Sequence, residues 1–221
     1  VQAGVGNRTQ VIRNSTGGLL RVLPNFANAN GAEVSGVDLS TSYSFDTNVG
    51  NWKAGLQAAW LADYEVEVAS RTGGAPTVFD AVGEYNDANP VARPLPEWKV
   101  NGTLNWGLDQ HRAFLLVKYV SGVNHNFTGG STFFAATAAL AHDQAFADRF
   151  LDSSINSWIT ADAQYTYSFG DLKYLSDASV SVGVLNLTNE EPPFVPVITG
   201  YDGTLHDPRG RVWTLRLSAS L

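Results

Sequence analysis

Between Gly36 and Phe45 the odd positions are Val37, Leu39, Thr41, Tyr43 and Phe45, and the even ones are Gly36, Asp38, Ser40, Ser42 and Ser44. Side chains on a strand alternate between its two faces, so this pattern predicts a strand with one apolar and one polar side. The pattern recurs. Trp52, Ala54, Leu56, Ala58, Trp60, Ala62 and Tyr64 alternate with Lys53, Gln57, Asp63 and Glu65. Trp98, Val100, Gly102, Leu104 and Trp106 alternate with Glu97, Lys99, Asn101, Thr103 and Asn105. A fourth run, Ala113 to Val120, is less regular, because Phe114 and Leu116 share a side with Lys118. The fifth sets Ile159, Ala161, Ala163, Tyr165, Tyr167 and Phe169 against Thr160, Asp162, Gln164, Thr166 and Ser168. The sixth sets Val180, Val182 and Val184 against Ser179, Ser181 and Gly183, and the seventh Trp213, Leu215, Leu217, Ala219 and Leu221 against Thr214, Arg216, Ser218 and Ser220. An all-β chain follows.

Connection lengths narrow the architecture. The links after the first, third and fifth runs are short (46–51, 108–112, 170–177), and those after the second, fourth and sixth are long (69–96, 121–156, 189–210). Outer-membrane barrels have short turns on the periplasmic side and long loops outside. No apolar stretch approaches the roughly 18 residues of a transmembrane helix, which leaves a barrel as the way to cross a bilayer. Trp52 and Tyr64 are expected to bracket the apolar face. Twelve residues at about 3.3 Å each, tilted by about 40°, would set them roughly 30 Å apart along the membrane normal. The competing architecture is a soluble β-sandwich, whose strands also alternate but are usually shorter.

Composition excludes several functions. The chain has 221 residues, 14 basic and 21 acidic side chains and a net charge of -7, which cannot form the broad basic surface of a nucleic-acid binder. Charged residues are 16% of the chain, below the roughly 25% of a soluble domain. Without cysteine there is no disulfide, thiolate metal site or cysteine nucleophile. His111, His125, His142 and His206 stand at no metal-ligand spacing and read as solvated loop groups. His142-Asp143 and His206-Asp207 lack a nucleophile elbow, so no catalysis, metal or cofactor is expected. Glu190 and Glu191 are adjacent at a strand end and would point to opposite faces. Asn7, Asn14, Asn101, Asn126 and Asn186 begin Asn-x-Ser/Thr triplets, of which Asn186 reads as a turn at the rim.

Three segments carry a family resemblance. VIRNSTGGLLRVLPNFANANGAEVSGVDLSTSYSF (11–45), VGVLNLTNEEPPF (182–194) and DPRGRVWTLRLSASL (207–221) resemble, in order and spacing, the C-terminal part of a TonB-dependent outer-membrane receptor. The resemblance implies a transmembrane antiparallel β-barrel of about 22 strands around a plug, of which these would be the last seven. Residues 1–33 would be an extracellular loop segment and 34–221 the seven strands. It implies active import of a large nutrient, an iron chelate, vitamin or oligosaccharide, in the bacterial outer membrane. The partners it implies are the remaining strands and plug, TonB through the missing part, and outer-membrane lipid with lipopolysaccharide. Members of the family it resembles usually end in an aromatic residue, where this chain has Leu221. A passive porin-like barrel, a structural outer-membrane anchor and a soluble carbohydrate-binding β-sandwich remain alternatives.

Ligand contacts are expected in the long loops, from Tyr85, Phe127, Phe133, Phe134, His142, Tyr201 and His206, which mix aromatic and polar groups. Residues 134–150 have a helical rhythm. Lys53, Lys99, Arg112, Lys118, Asp162 and Arg216 are expected to face the lumen.

Overall fold

The computed structural model describes residues 11–22, 31–68, 75–86, 93–125, 154–172, 174–195, 197 and 199–220. Among these there is no helix. Strands β1 (Val11–Arg13) and β2 (Leu19–Val22) form a small separate hairpin. The main sheet is built from β3 (Ala32–Thr47), β4 (Gly50–Val68), β6 (Trp98–Leu108), β7 (His111–Val120), β10 (Trp158–Leu172), β11 (Leu175–Leu185) and β12 (Val212–Ser220). They lie in the order β12-β11-β10-β7-β6-β4-β3, each antiparallel to its neighbours. The chain thus runs up and down through seven long strands. A short β5 (Thr77–Asp80) pairs with the far end of β4, and β8 (Val123–Asn124) pairs with β9 (Ser154–Ile155). Among the described residues β3 and β12 each have one strand partner, so the sheet has two edges.

Turn chemistry explains the short connections. Gly50 closes the first at φ +120, where a Cβ would come within 2.6 Å of the Gly107 carbonyl and of Trp106 Nε1. Only glycine fits there. Asp109 turns the β6–β7 link at φ +49, a conformation that Asp adopts more readily than most residues. The long connections leave the opposite end of the sheet.

Register sorts the side chains as the alternation requires. Phe45, Trp52, Trp106, Ala113, Tyr165, Val182 and Leu215 are successive cross-strand partners, forming one apolar row across seven strands. The neighbouring row on the other face is Ser44, Lys53, Asn105, Phe114, Gln164, Gly183 and Thr214. The apolar face is uncovered among the described residues: Tyr43 and Leu215 are each 70% exposed and Leu217 76%. The two clusters of buried apolar residues lie at the long-loop end instead, one of Tyr85, Val123, Ile155 and Val195 and another of Val66 and Ala81.

One facing differs from the sequence expectation. Between Ser35 and Gly36 the register skips Ala62, so that Ser35 pairs with Asp63 and Gly36 with Leu61. Such a bulge shifts the period-two alternation by one residue. Beyond it, Tyr64 and Val66 lie on the polar face, where Tyr64 packs with Phe79 and Leu95 around Val66 and Ala81. Tyr64 therefore does not bracket the apolar face with Trp52. Trp60 does, stacked on its cross-strand partner Trp98 at 5.8 Å. At about 3.3 Å per residue, Trp52 and Trp60 are roughly 26 Å apart along β4.

Candidate functional site

Lys53, Lys99, Arg112, Lys118, Asp162 and Arg216 all share the polar face. Arg112 and Arg216 lie in one row with Thr166 and Ser181 between them, and Lys53 pairs with Asn105. Lys53 and Arg112 line an open cavity of about 470 Å³ near the short turns, beside Asp46, Asn105 and Gln164. Nearer the long loops, Lys118 Nζ donates to Asp162 Oδ2 at 2.8 Å. The other oxygen of Asp162 accepts from the Asn186 amide at 2.9 Å, tying the loop after β11 to β10.

Asn186 is the turn residue that the sequence suggested. It sits at φ +51, and its side-chain amide donates to the Glu190 carbonyl while its oxygen accepts from the Glu190 amide. Asn189, at φ +57, accepts from the Arg211 amide and so fastens the same loop to the start of β12. Glu190 and Glu191 are consequently loop residues. Rather than diverging from a strand end, both line a cavity of about 450 Å³ together with Phe194 and Tyr201.

Tyr85 and His206 are buried inside the loop layer. Asp202 joins them: its carboxylate accepts from the Thr204 amide and hydroxyl at 2.6 Å and from the Tyr85 hydroxyl, and lies near His206. Burial pushes the Asp202 carboxyl up, but the Thr204 and Tyr85 hydrogen bonds and the charge of His206 hold it below its ordinary range. Burial lowers the His206 imidazole, with the nearby Asp202 opposing. Its ring packs edge-on against Trp158 at 5.3 Å, and Trp158 Nε1 donates to the Glu191 carbonyl. The loop segments at Tyr85, Asn124, Glu191 and Asp202 are thereby joined into one cap, with Tyr85 N donating to the Asn124 carbonyl at 2.7 Å.

These placements amend the histidine reading. His125 and His206 are buried rather than solvated, and His111 contacts Tyr165 and Tyr167 at the start of β7. Asp207, next to His206 in sequence, turns instead to Arg209, whose hydrogen bonds hold its carboxyl down to about 2. Among the described residues no three His, Cys, Asp or Glu side chains converge on a metal-sized site. Phe127, Phe133, Phe134 and His142, and the helical rhythm of 134–150, lie outside the described residues. Of the expected loop contacts, Tyr201 lines a cavity, whereas Tyr85 and His206 are brought together in the interior of the cap. Sequence reasoning missed Trp158, Thr160 and Asp202.

The apolar face has its own geometry. Phe45, Trp52 and Trp106 form a ladder with ring centres 6.3 and 6.1 Å apart, and Trp60 and Trp98 form a second. Indole N–H groups find polar partners at both ends: Trp106 at the Val49 carbonyl, Trp52 at the Thr47 hydroxyl, and Trp60 at the Glu97 carboxylate. No helix among the described residues is long and apolar enough to cross a membrane, which says nothing about strands. No protein-family model matches the chain, and searches of curated proteins and of solved structures return no match.

Proposed function

We propose that this chain is part of a transmembrane β-barrel in a bacterial outer membrane, and that the barrel is an active, TonB-dependent importer of a large nutrient. The observation that carries the membrane part is the uncovered apolar face, seven strands wide and bounded by two tryptophan ladders. A soluble sandwich would pack that face against a second sheet. Lipid would cover it equally well, and rings with anchored N–H groups suit the two membrane interfaces. The polar face, with its lysines and arginines, then lines a hydrated interior.

Importer rather than passive pore rests on the sequence resemblance. Edges at β3 and β12 would leave N–H and C=O groups unpaired in lipid, at several kcal/mol for each buried group. On this reading further strands complete the barrel, along with a plug and a TonB contact. Fractionation of cells producing the whole protein tests location, and uptake of candidate iron chelates, vitamins and oligosaccharides with and without TonB tests coupling. Recovery in the soluble fraction would refute the barrel. Uptake indifferent to TonB would refute active import and leave a porin-like pore.

A further inference from the structure

Beneath the loop that joins β11 to β12 is a cavity of about 170 Å³, lined by Lys118, Thr160, Asp162, Asp207 and Arg209. It is space for several waters at about 30 Å³ each, or for one small polar group with water around it. Its charges balance in number, but its hydrogen-bonding groups do not. The Asp207 carboxylate takes three side-chain bonds from Arg209 and one from the Arg209 amide. Asp162 takes one bond on each oxygen, from Asn186 and from Lys118. Lys118 carries three N–H donors and uses one of them in this way among the described residues. The guanidinium of Arg209 has N–H groups beyond the Nε and Nη2 bonds to Asp207.

Thr160 is the decisive group. It is 2% exposed, and its hydroxyl has no hydrogen-bond partner among the described residues. It is the cross-strand partner of Lys118, so the two side chains stand beside each other on the polar face. A buried hydroxyl without a partner costs about 1–3 kcal/mol, and natural structures rarely leave one without something to bind. The site is thus built with donors to spare around a hydroxyl that lacks a partner.

We propose that this cavity binds a small oxyanion, a carboxylate or phosphate group, held by Lys118, Arg209 and the Thr160 hydroxyl. The two aspartates, hydrogen-bonded on each of their oxygens, hold the cations in place. The inference needs only the strand register and the last loop, and so stands or falls apart from the membrane reading. A ligand here would clamp the loop to β7 and β10.

The test is calorimetric titration of the whole protein in detergent with inorganic phosphate and with acetate, ionic strength being held constant with chloride. Saturable binding of either anion is expected. Thr160→Val, which keeps the side-chain shape and removes the hydroxyl, should weaken it about tenfold, as should Arg209→Gln. Thermal unfolding without anion should be unchanged in Arg209→Gln, whose side chain is at the surface, so that its loss of binding is not loss of fold. No saturable heat, equal competition by chloride, or binding unaltered in both variants would overturn the proposal.

Discussion

Trp60 and Tyr64 lie four residues apart on β4 and face opposite sides of the sheet, because Ala62 is inserted between them without a partner on β3. Gly36, opposite the bulge, makes this possible: a Cβ there would stand 2.5 Å from the Trp60 carbonyl oxygen. That neighbour is backbone and cannot swing aside. Gly36→Ala should destabilise the protein by about 1–3 kcal/mol, as overpacking does. A shift in the urea midpoint of the folded protein measures it, and an unchanged midpoint would show that the bulge can relax.

Substitutions on the two faces should have unequal effects. Leu215 is exposed on the apolar face, and Leu215→Arg should cost about 2–4 kcal/mol if it lies near the bilayer midplane. Lys99, on the polar face opposite Ala59, should accept Leu at much smaller cost. Unfolding in phospholipid vesicles compares the two. Equal losses would contradict the assigned facing.

Asn186 combines a positive φ with two side-chain hydrogen bonds to Glu190. Asn186→Ala removes both bonds and places a residue less tolerant of that conformation. A loss of about 2–3 kcal/mol is expected, with faster hydrogen exchange at Glu190 and Leu187. Asn186→Asp, which retains the acceptor, should lose less.

Acid should loosen the loop cap. Burial sets His206 below its ordinary 6.5, so its contribution is full above that value and is lost as pH falls through its lowered pKa. Asp202, whose burial is outweighed by Thr204, Tyr85 and His206, adds a second loss below its ordinary 3.8. Glu84 runs the other way: burial and then Asp80 raise its carboxyl, so its contribution is present below 4.5 and is lost as pH rises through the raised value. Comparing His206→Phe with the parent separates the upper window. Protection of the Tyr85 amide, taken relative to its intrinsic exchange rate at each pH, should fall on going below pH 6.5 in the parent and stay constant there in the variant.

The seven long strands were legible because each spends residue after residue on the same two faces, and neighbours such as Val37, Leu39 and Tyr43 leave no other period open. Short and long connections were legible from the spacing between runs. The bulge was not, since Ala62 is apolar and fits either face, and only pairing with β3 shows that it is the extra residue. The short strands among the described residues, such as β1 and β8, carry too few residues to alternate. The cap was least legible: Tyr85, Trp158 and the loop holding Asp202 and His206 are far apart in sequence and meet only through tertiary contacts. Thr160 looked like any polar-face residue until its burial was known.

The central claim is that lipid covers one face of this sheet. The chain has no cysteine, so single-cysteine spin labels can be placed along β4 without a competing thiol. Accessibility to oxygen, which concentrates in lipid, should be high at Trp52, Ala54, Leu56, Ala58 and Trp60 and low at Lys53, Gly55, Gln57 and Ala59, with Tyr64 low as well because of the bulge. A period of two that inverts after Ala62 is the predicted result. Labels at Leu56 and Ala58 that respond to a water-soluble relaxant as strongly as those at Gln57 would contradict the membrane-spanning sheet.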